Sequence, residues 1–201
     1  MNAATAKRSR VIVTPEGLAL PVTIASRGSR AGALMLDVII IFGGLLAFNL
    51  LLIWIAGGLL EGTALDPTAA PRGAQEFLQI LMVISGFVTW YGYFLVQELG
   101  PRGATLGKRV TGIRIAARSG GRLTPEAVIA RNLIRDIELF YPLVLVFILL
   151  ILNAEDEDIG PFAWAATGWF ALFALFPFFN RDALRAGDIV AGTWVVEAPR
   201  T

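Results

Sequence analysis

Four long apolar blocks, separated by loops of very different charge, constrain this chain more than any other feature. They cover about residues 31–56, 75–97, 137–153 and 162–179. An α-helix rises about 1.5 Å per residue, so a hydrocarbon core of about 30 Å takes roughly 20 residues. The first two blocks exceed that length, and the last two lie near the lower limit of roughly 17. Hydrophobic residues make up 56% of the chain and charged residues 16%. A soluble domain carries about half and about 25%, and the apolar excess sits in the blocks. No soluble core of matching size remains to bury them, so all four are predicted to cross a membrane.

Charge sets the expected orientation. Of the 17 Lys and Arg residues, Arg72 alone lies in the 58–74 loop and none lies in the 154–161 loop. The tail before the first block carries Lys7, Arg8, Arg10, Arg27 and Arg30. The 98–136 loop carries Arg102, Lys108, Arg109, Arg114, Arg118, Arg122, Arg131 and Arg135, and the C-terminal tail carries Arg181, Arg185 and Arg200. By the positive-inside rule the N-tail (1–30), the 98–136 loop and the tail 180–201 are cytoplasmic. Residues 1–201 then form one multi-pass domain of the cell (inner) membrane, N-in and C-in. The start, "MNAATAKRSRVIVTPEG", is basic but no apolar run follows it, so the first block is expected to act as the membrane signal itself.

The cytoplasmic parts have patterns of their own. "RVIVTPEGLALPVTIA" reads as a hairpin turning at Pro15-Glu16-Gly17. "VTGIRIAARSGGRLT" alternates through Ile113, Arg114 and Ile115, and "GTWVVEA" is a further strand. These pieces are predicted to meet in one small sheet. Thr124-Pro125-Glu126 is a helix start, with Thr as N-cap and Pro at the first position. The helix carries Arg131 and Arg135 on one face and runs into the third block. The fold class is therefore mainly α and integral membrane: a four-helix bundle with a small cytoplasmic cap of short strands and one amphipathic helix. No internal repeat is read from the sequence.

The chain has no histidine and no cysteine. Disulfides, thiolate chemistry, and the commonest general base and zinc ligand are excluded. No nucleophile–base pair or metal cluster can be assembled, so neither an enzyme nor a bound metal or cofactor is expected. "GATLGKRVTGIRI" fails as a phosphate loop, because three residues separate Gly103 from Gly107 and Arg109 stands where Ser or Thr would hold magnesium. It reads as a tight turn placing basic side chains at anionic lipid headgroups. "NAEDEDIGP" fails as a calcium loop and reads as a solvated acidic turn. Trp164, Trp169, Phe173 and Phe176 of the last block read as belt and lipid-facing residues. A net charge of +1 gives no indication of nucleic-acid binding.

The polar residues near the membrane are the candidate site. Asp37 lies about 9 Å inside the first block. A charge at the bilayer centre costs about 3 kcal/mol or more, so Asp37 is expected to be paired or protonated. Arg30, seven residues earlier, shares its helix face about 10 Å away, with a bridging third group expected between them. Gln97, Glu98, Asp136 and Glu138 can share that layer, and Asn49 is expected to bond between helices.

Four stretches together resemble the RDD family of membrane proteins. "TPEGLAL" resembles its lead-in. "RAGALMLD" fits its R-x-x-A-x-x-x-D opening through Arg30, Ala33 and Asp37. "GATLGKRVTGIRI" is similar to its G-x-T-x-G-K-R-x-x-G-x-R-V segment, and "NRDALRAGDIVAGTWVV" to its closing motif, with Asp188 as the second aspartate. Ala186-Gly187 departs from the bulkier residue, such as His, often found there. The resemblance implies a membrane protein of one of two kinds. One is a transport component for a small ligand or cation, with cation/proton exchange implied for some members. In it Asp37 titrates, Arg30 tunes it, and Asp188 holds a gate through Arg30, Lys108 or Arg109. The other is a scaffold or assembly partner in which Arg30, Asp37 and Asp188 form a structural network. Glu98, Arg131 and Arg135 are additional candidates in both. Either kind is expected to act as a homo-oligomer or within a larger membrane complex.

Overall fold

The computed structural model of the chain describes residues 8–59, 72–152 and 160–198. The acidic run of "NAEDEDIGP" and most of the 58–74 loop lie outside them. Strands β1 (Ser9–Val13) and β2 (Ala19–Thr23) form an antiparallel hairpin. Its turn closes through a Gly17 N–H donated to the Thr14 carbonyl at 2.8 Å, with Gly17 at φ +80°. Helix α1 (Arg27–Leu59) and helix α2 (Arg72–Leu99) follow, then the short helix α3 (Leu106–Val110) and strand β3 (Ile113–Ala117). Helix α4 (Pro125–Arg135) passes through a π-helical turn (Asp136–Phe140) into α5 (Tyr141–Leu152). Helix α6 (Gly160–Leu175) ends in a 3-10 turn (Phe176–Phe178), and α7 (Ala186–Val190) and β4 (Thr193–Glu197) close the described chain.

Among the described residues, three helices are long and apolar enough to cross a membrane: Arg27–Ala56, Gly73–Leu99 and Gly160–Phe178. The third apolar block is shorter as a separate element. Its α5 portion has 12 residues, about 18 Å of helix, and completes the helical rod that starts at Pro125. Ile39, Phe42, Leu46 and Trp54 of α1 are exposed. Apolar exposure on this scale marks a surface that faces lipid or partners rather than water. These helices are of the length and composition that membrane spans require.

Local signals in the sequence account for several elements. Thr124 caps α4, its hydroxyl accepting from the Ala127 N–H at 3.3 Å, with Pro125 at the first helical position. Ile113 and Ile115 of β3 point inward and Arg114 outward, the period-2 pattern of a half-buried strand. The expected single sheet is instead two two-stranded antiparallel sheets, the β1–β2 hairpin and the long-range β3–β4 pair. They join where Ile24 bridges Val196 and the Ala25 N–H donates to Val195 O at 2.9 Å. The chain bends into α1 directly after that point, so β2 has too few residues to pair along β4. Ion pairs of Arg8 with Glu197 at 2.8 Å and Arg10 with Asp182 at 2.5 Å fasten the first hairpin to the C-terminal tail.

A repeat missed in the sequence emerges from the backbone. Helix α2 leads through Gly103 (φ +56°) to α3, Gly112 (φ +67°) and β3. Helix α6 leads through Ala183 (φ +50°) to α7, Gly192 (φ +61°) and β4. One fixed sequence offset relates Gly103 to Ala183, Gly107 to Gly187, Val110 to Val190 and Gly112 to Gly192. Helix α3 packs on α1, and α7 on α4. Gly107 donates its N–H to Asp37 Oδ1 at 2.8 Å, and Gly187 donates its own to Glu138 Oε1 at 2.9 Å. The fold is therefore two modules of similar form, α1–α2–α3–β3 and α4/α5–α6–α7–β4, joined by the β3–β4 pair.

Candidate functional site: a buried charge network beneath a cavity

The inner ends of the two modules meet in a polar core. Asp37 is 1% exposed and takes no cation as partner at contact distance among the described residues. It accepts from Tyr93 Oη at 2.6 Å, Thr105 Oγ1 at 2.5 Å and the Gly107 N–H at 2.8 Å. Three neutral donors thus replace the expected pairing with Arg30. The sequence supports this seat in two ways. Thr105 is the N-cap of α3, so its hydroxyl already sits at the helix start. Gly107 has no Cβ, and one added there would overlap the Ala33 carbonyl and lie 2.8 Å from Asp37 Oδ1. Asp37 therefore pins α3 to α1.

Arg30 pairs instead with Asp188, and also donates to the Ala183 carbonyl. Asp188, fully buried, lies 3.5 Å from Arg131 Nη2 as well. Arg131 is the central cation: its Nε is 3.6 Å from Glu98 Oε2, and its Nη1 donates to Thr193 Oγ1 at 3.4 Å. Glu98 is closed by Lys108 and by Asn132 Nδ2 at 2.9 Å. Arg131 thus holds together a carboxylate from each module. Neither Arg131 Nε nor Asp188 Oδ1 has a hydrogen bond, which makes these two ion pairs the loosest links in the core.

A second cluster continues from the π-helical turn. Arg135 pairs with Asp136 at 2.7 Å, donates to Asn132 Oδ1 at 3.0 Å, and stacks over Phe94 at 3.8 Å. Trp90 Nε1 donates to Asp136 Oδ2 at 3.2 Å. Arg109 is not part of the network: it is exposed, and its Nε donates to Ala104 O at 3.0 Å. The expected gate contacts from Asp188 to Lys108 or Arg109 are not made, because Arg30 and Arg131 occupy Asp188. Asn49 bonds back to Leu45 O of its own helix at 2.8 Å rather than across helices. In α6, Trp164 is exposed as expected, whereas Trp169 also donates to Ile137 O at 3.1 Å.

The electrostatics of the tail and loop groups follow from this packing. Burial works to raise the Asp188 carboxyl, but the fields of Arg131, Arg30 and Arg185 more than offset it and hold it well below the ordinary value of 3.8. Burial drives the Lys108 ammonium down to about 8, against the stabilising pull of Glu98. Among the described residues no group of acids converges as a metal site.

Above this core lies a cavity of about 480 Å³ between the two modules. Its floor is charged, with Arg30, Lys108, Arg131 and Glu98 among the lining groups. Its wall is apolar, with Leu34 from α1, Leu143 from α5, and Phe170 and Ala174 from α6. The site residues that the sequence reading left out are Tyr93, Thr105, Gly107 and Asn132. The signal that could have found Gly107 is the recurrence of G-x-x-V-x-G at Gly107–Gly112 and Gly187–Gly192.

The model of the RDD family matches residues 24–192. No curated protein and no solved structure matches the chain at a significant level. The match spans most of the sequence, and the chain belongs to the RDD family.

Proposed function

We propose that this RDD-family membrane protein is a non-catalytic transport component whose ligand occupies the cavity between its two modules. One observation carries this reading: the cavity joins an apolar wall to a charged floor at the interface between repeats. In many transporters built from repeats, the substrate site lies at that interface, and rocking of one repeat against the other gives alternating access. The four helical rods then cross the inner membrane with both termini cytoplasmic. The charge bias of the loops and the Arg8–Glu197 contact between the two tails support that arrangement.

In this reading Arg131, Glu98 and Asp188 form the closed inner gate, and Lys108 and Arg30 flank it. Asp37 is the titratable latch. Two of its three donors, Thr105 and Gly107, belong to the α3 segment, so protonating it would weaken the hold of α1 on α3. Purified protein in proteoliposomes should show solute-dependent pH changes across a panel of ions and small organic solutes. Asp37→Asn should remove them while preserving the folded state.

A second reading, a scaffold or assembly partner in a larger complex, is favoured by how completely the carboxylates of the network are buried and partnered. In that case Asp37→Asn and Asp188→Asn lower folded yield, and the wild type moves none of the panel.

A further inference from the structure

Counting the charges that line the cavity identifies an occupant. Arg30, Lys108, Arg131 and Arg135 each have a carboxylate partner in contact. Arg27 and Arg185 also line the cavity, and neither has one among the described residues. Arg27 donates only to carbonyls, Pro177 O at 2.9 Å and Asn180 O at 3.4 Å, and its guanidinium lies over the Phe178 ring at 5.0 Å. The half-buried Arg185 side chain makes no contact ion pair, and its charge reaches the Asp188 and Glu138 carboxylates only through space. The cavity thus combines two arginines that have no carboxylate at contact distance among the described residues with an apolar wall along the helices. Arg27 is exposed and Arg185 half-buried, and an anion seated between them would gain charge-assisted hydrogen bonds from both guanidiniums.

We propose that the cavity seats one glycerophospholipid with an anionic headgroup, drawn from the inner leaflet. Its phosphate lies between Arg27 and Arg185, and an acyl chain lies along Leu34, Leu143, Phe170 and Ala174. A cavity of this size falls in the range of small-molecule sites, about 300–1,000 Å³. A headgroup-only ligand would leave the apolar wall uncovered, and a zwitterionic lipid would offset its phosphate with its own cation and bring that cation against the two arginines. A second cavity shares Arg27 and Phe178 and adds Arg8 and Arg181 on the side of the tails. It gives a larger headgroup a polar space beyond the phosphate.

The inference rests on the same cavity as the reading above and names the occupant it holds at rest, and its test is independent of flux. Full-length protein, delipidated in detergent, is titrated with dioleoylphosphatidylglycerol, dioleoylphosphatidylcholine or inorganic phosphate. Bound lipid is counted by native mass spectrometry. The glycerol lipid should bind about tenfold or more tightly than the choline lipid, more weakly as salt rises, and inorganic phosphate should not displace it. Arg185→Gln should weaken it about five- to tenfold and Arg185→Lys should restore most of the loss. Ala174→Trp fills the chain channel without touching a charge and should abolish retention. Arg102→Gln, on the exposed loop, should change nothing. Equal binding of the two lipids, displacement by inorganic phosphate, or wild-type retention in either Arg185→Gln or Ala174→Trp overturns the proposal. Lipid binding without solute flux removes the transport reading alone. Flux without selective lipid binding removes this inference alone.

Discussion

The two modules share a skeleton and differ in how each treats one of its buried aspartates. In the first, Asp37 of α1 is held by two hydroxyls and a backbone N–H, all neutral. In the second, Asp188 of α7 lies between two arginines. Both carboxylates are removed from solvent, so each must be compensated, and the means of compensation decides what it can do. A carboxylate held by neutral donors can lose its charge without leaving a cation stranded. One held between arginines cannot. The first module is thus built for a local change, and the second for holding the two modules together.

The largest expected effect is therefore at Asp188. Asp188→Asn strands Arg30 and leaves Arg131 with Glu98 alone, and removing one partner of a buried pair costs about 3–5 kcal/mol. Unfolding of the purified protein in detergent should record that loss, with Asp37→Asn costing clearly less. The wild type should also show an acid limb that the variant lacks. The folded carboxyl of Asp188 is held below its ordinary value of 3.8, so the unfolded chain takes up the proton first. Its contribution is complete above that ordinary value and is lost as pH falls through the lower folded one. Equal losses in the two variants would erase the distinction between the modules.

A smaller effect should separate the paired glycines. A Cβ at Gly107 overlaps the Ala33 carbonyl, whereas one at Gly187 lies 2.9 Å from the Arg131 carbonyl. Each alanine variant should lose about 1–3 kcal/mol, with Gly107→Ala the worse of the two. Thermal unfolding of both, side by side, checks the order. The smallest change is favourable. Ala183 holds a positive φ of 50° where the first module has glycine, so Ala183→Gly should gain on the order of 1 kcal/mol, measured as a raised midpoint.

Much of the scaffold was legible because its causes are local. The apolar blocks, the Thr124 cap, the turn at Gly17 and the alternation at Ile113–Ile115 each depend on neighbours in sequence. The choice of partner for Arg30 was not legible. Asp37 is close to it along one helix, but helix packing brings Asp188 to the guanidinium and turns Asp37 toward Tyr93 and α3. The repeat was also hidden, because it survives mainly as glycine spacing and backbone conformation rather than side-chain identity. Lys108 and Asp188 occupy corresponding positions with opposite charge, each paired with a different helix end.

The contrast between the two carboxylates is tested most directly by a pair of double-mutant cycles on folding free energy, Arg30→Gln with Asp188→Asn and Arg30→Gln with Asp37→Asn. Coupling of about 1 kcal/mol or more is expected in the first cycle, and additivity within about 0.5 kcal/mol in the second. Strong coupling of Arg30 to Asp37, or none to Asp188, would contradict the account.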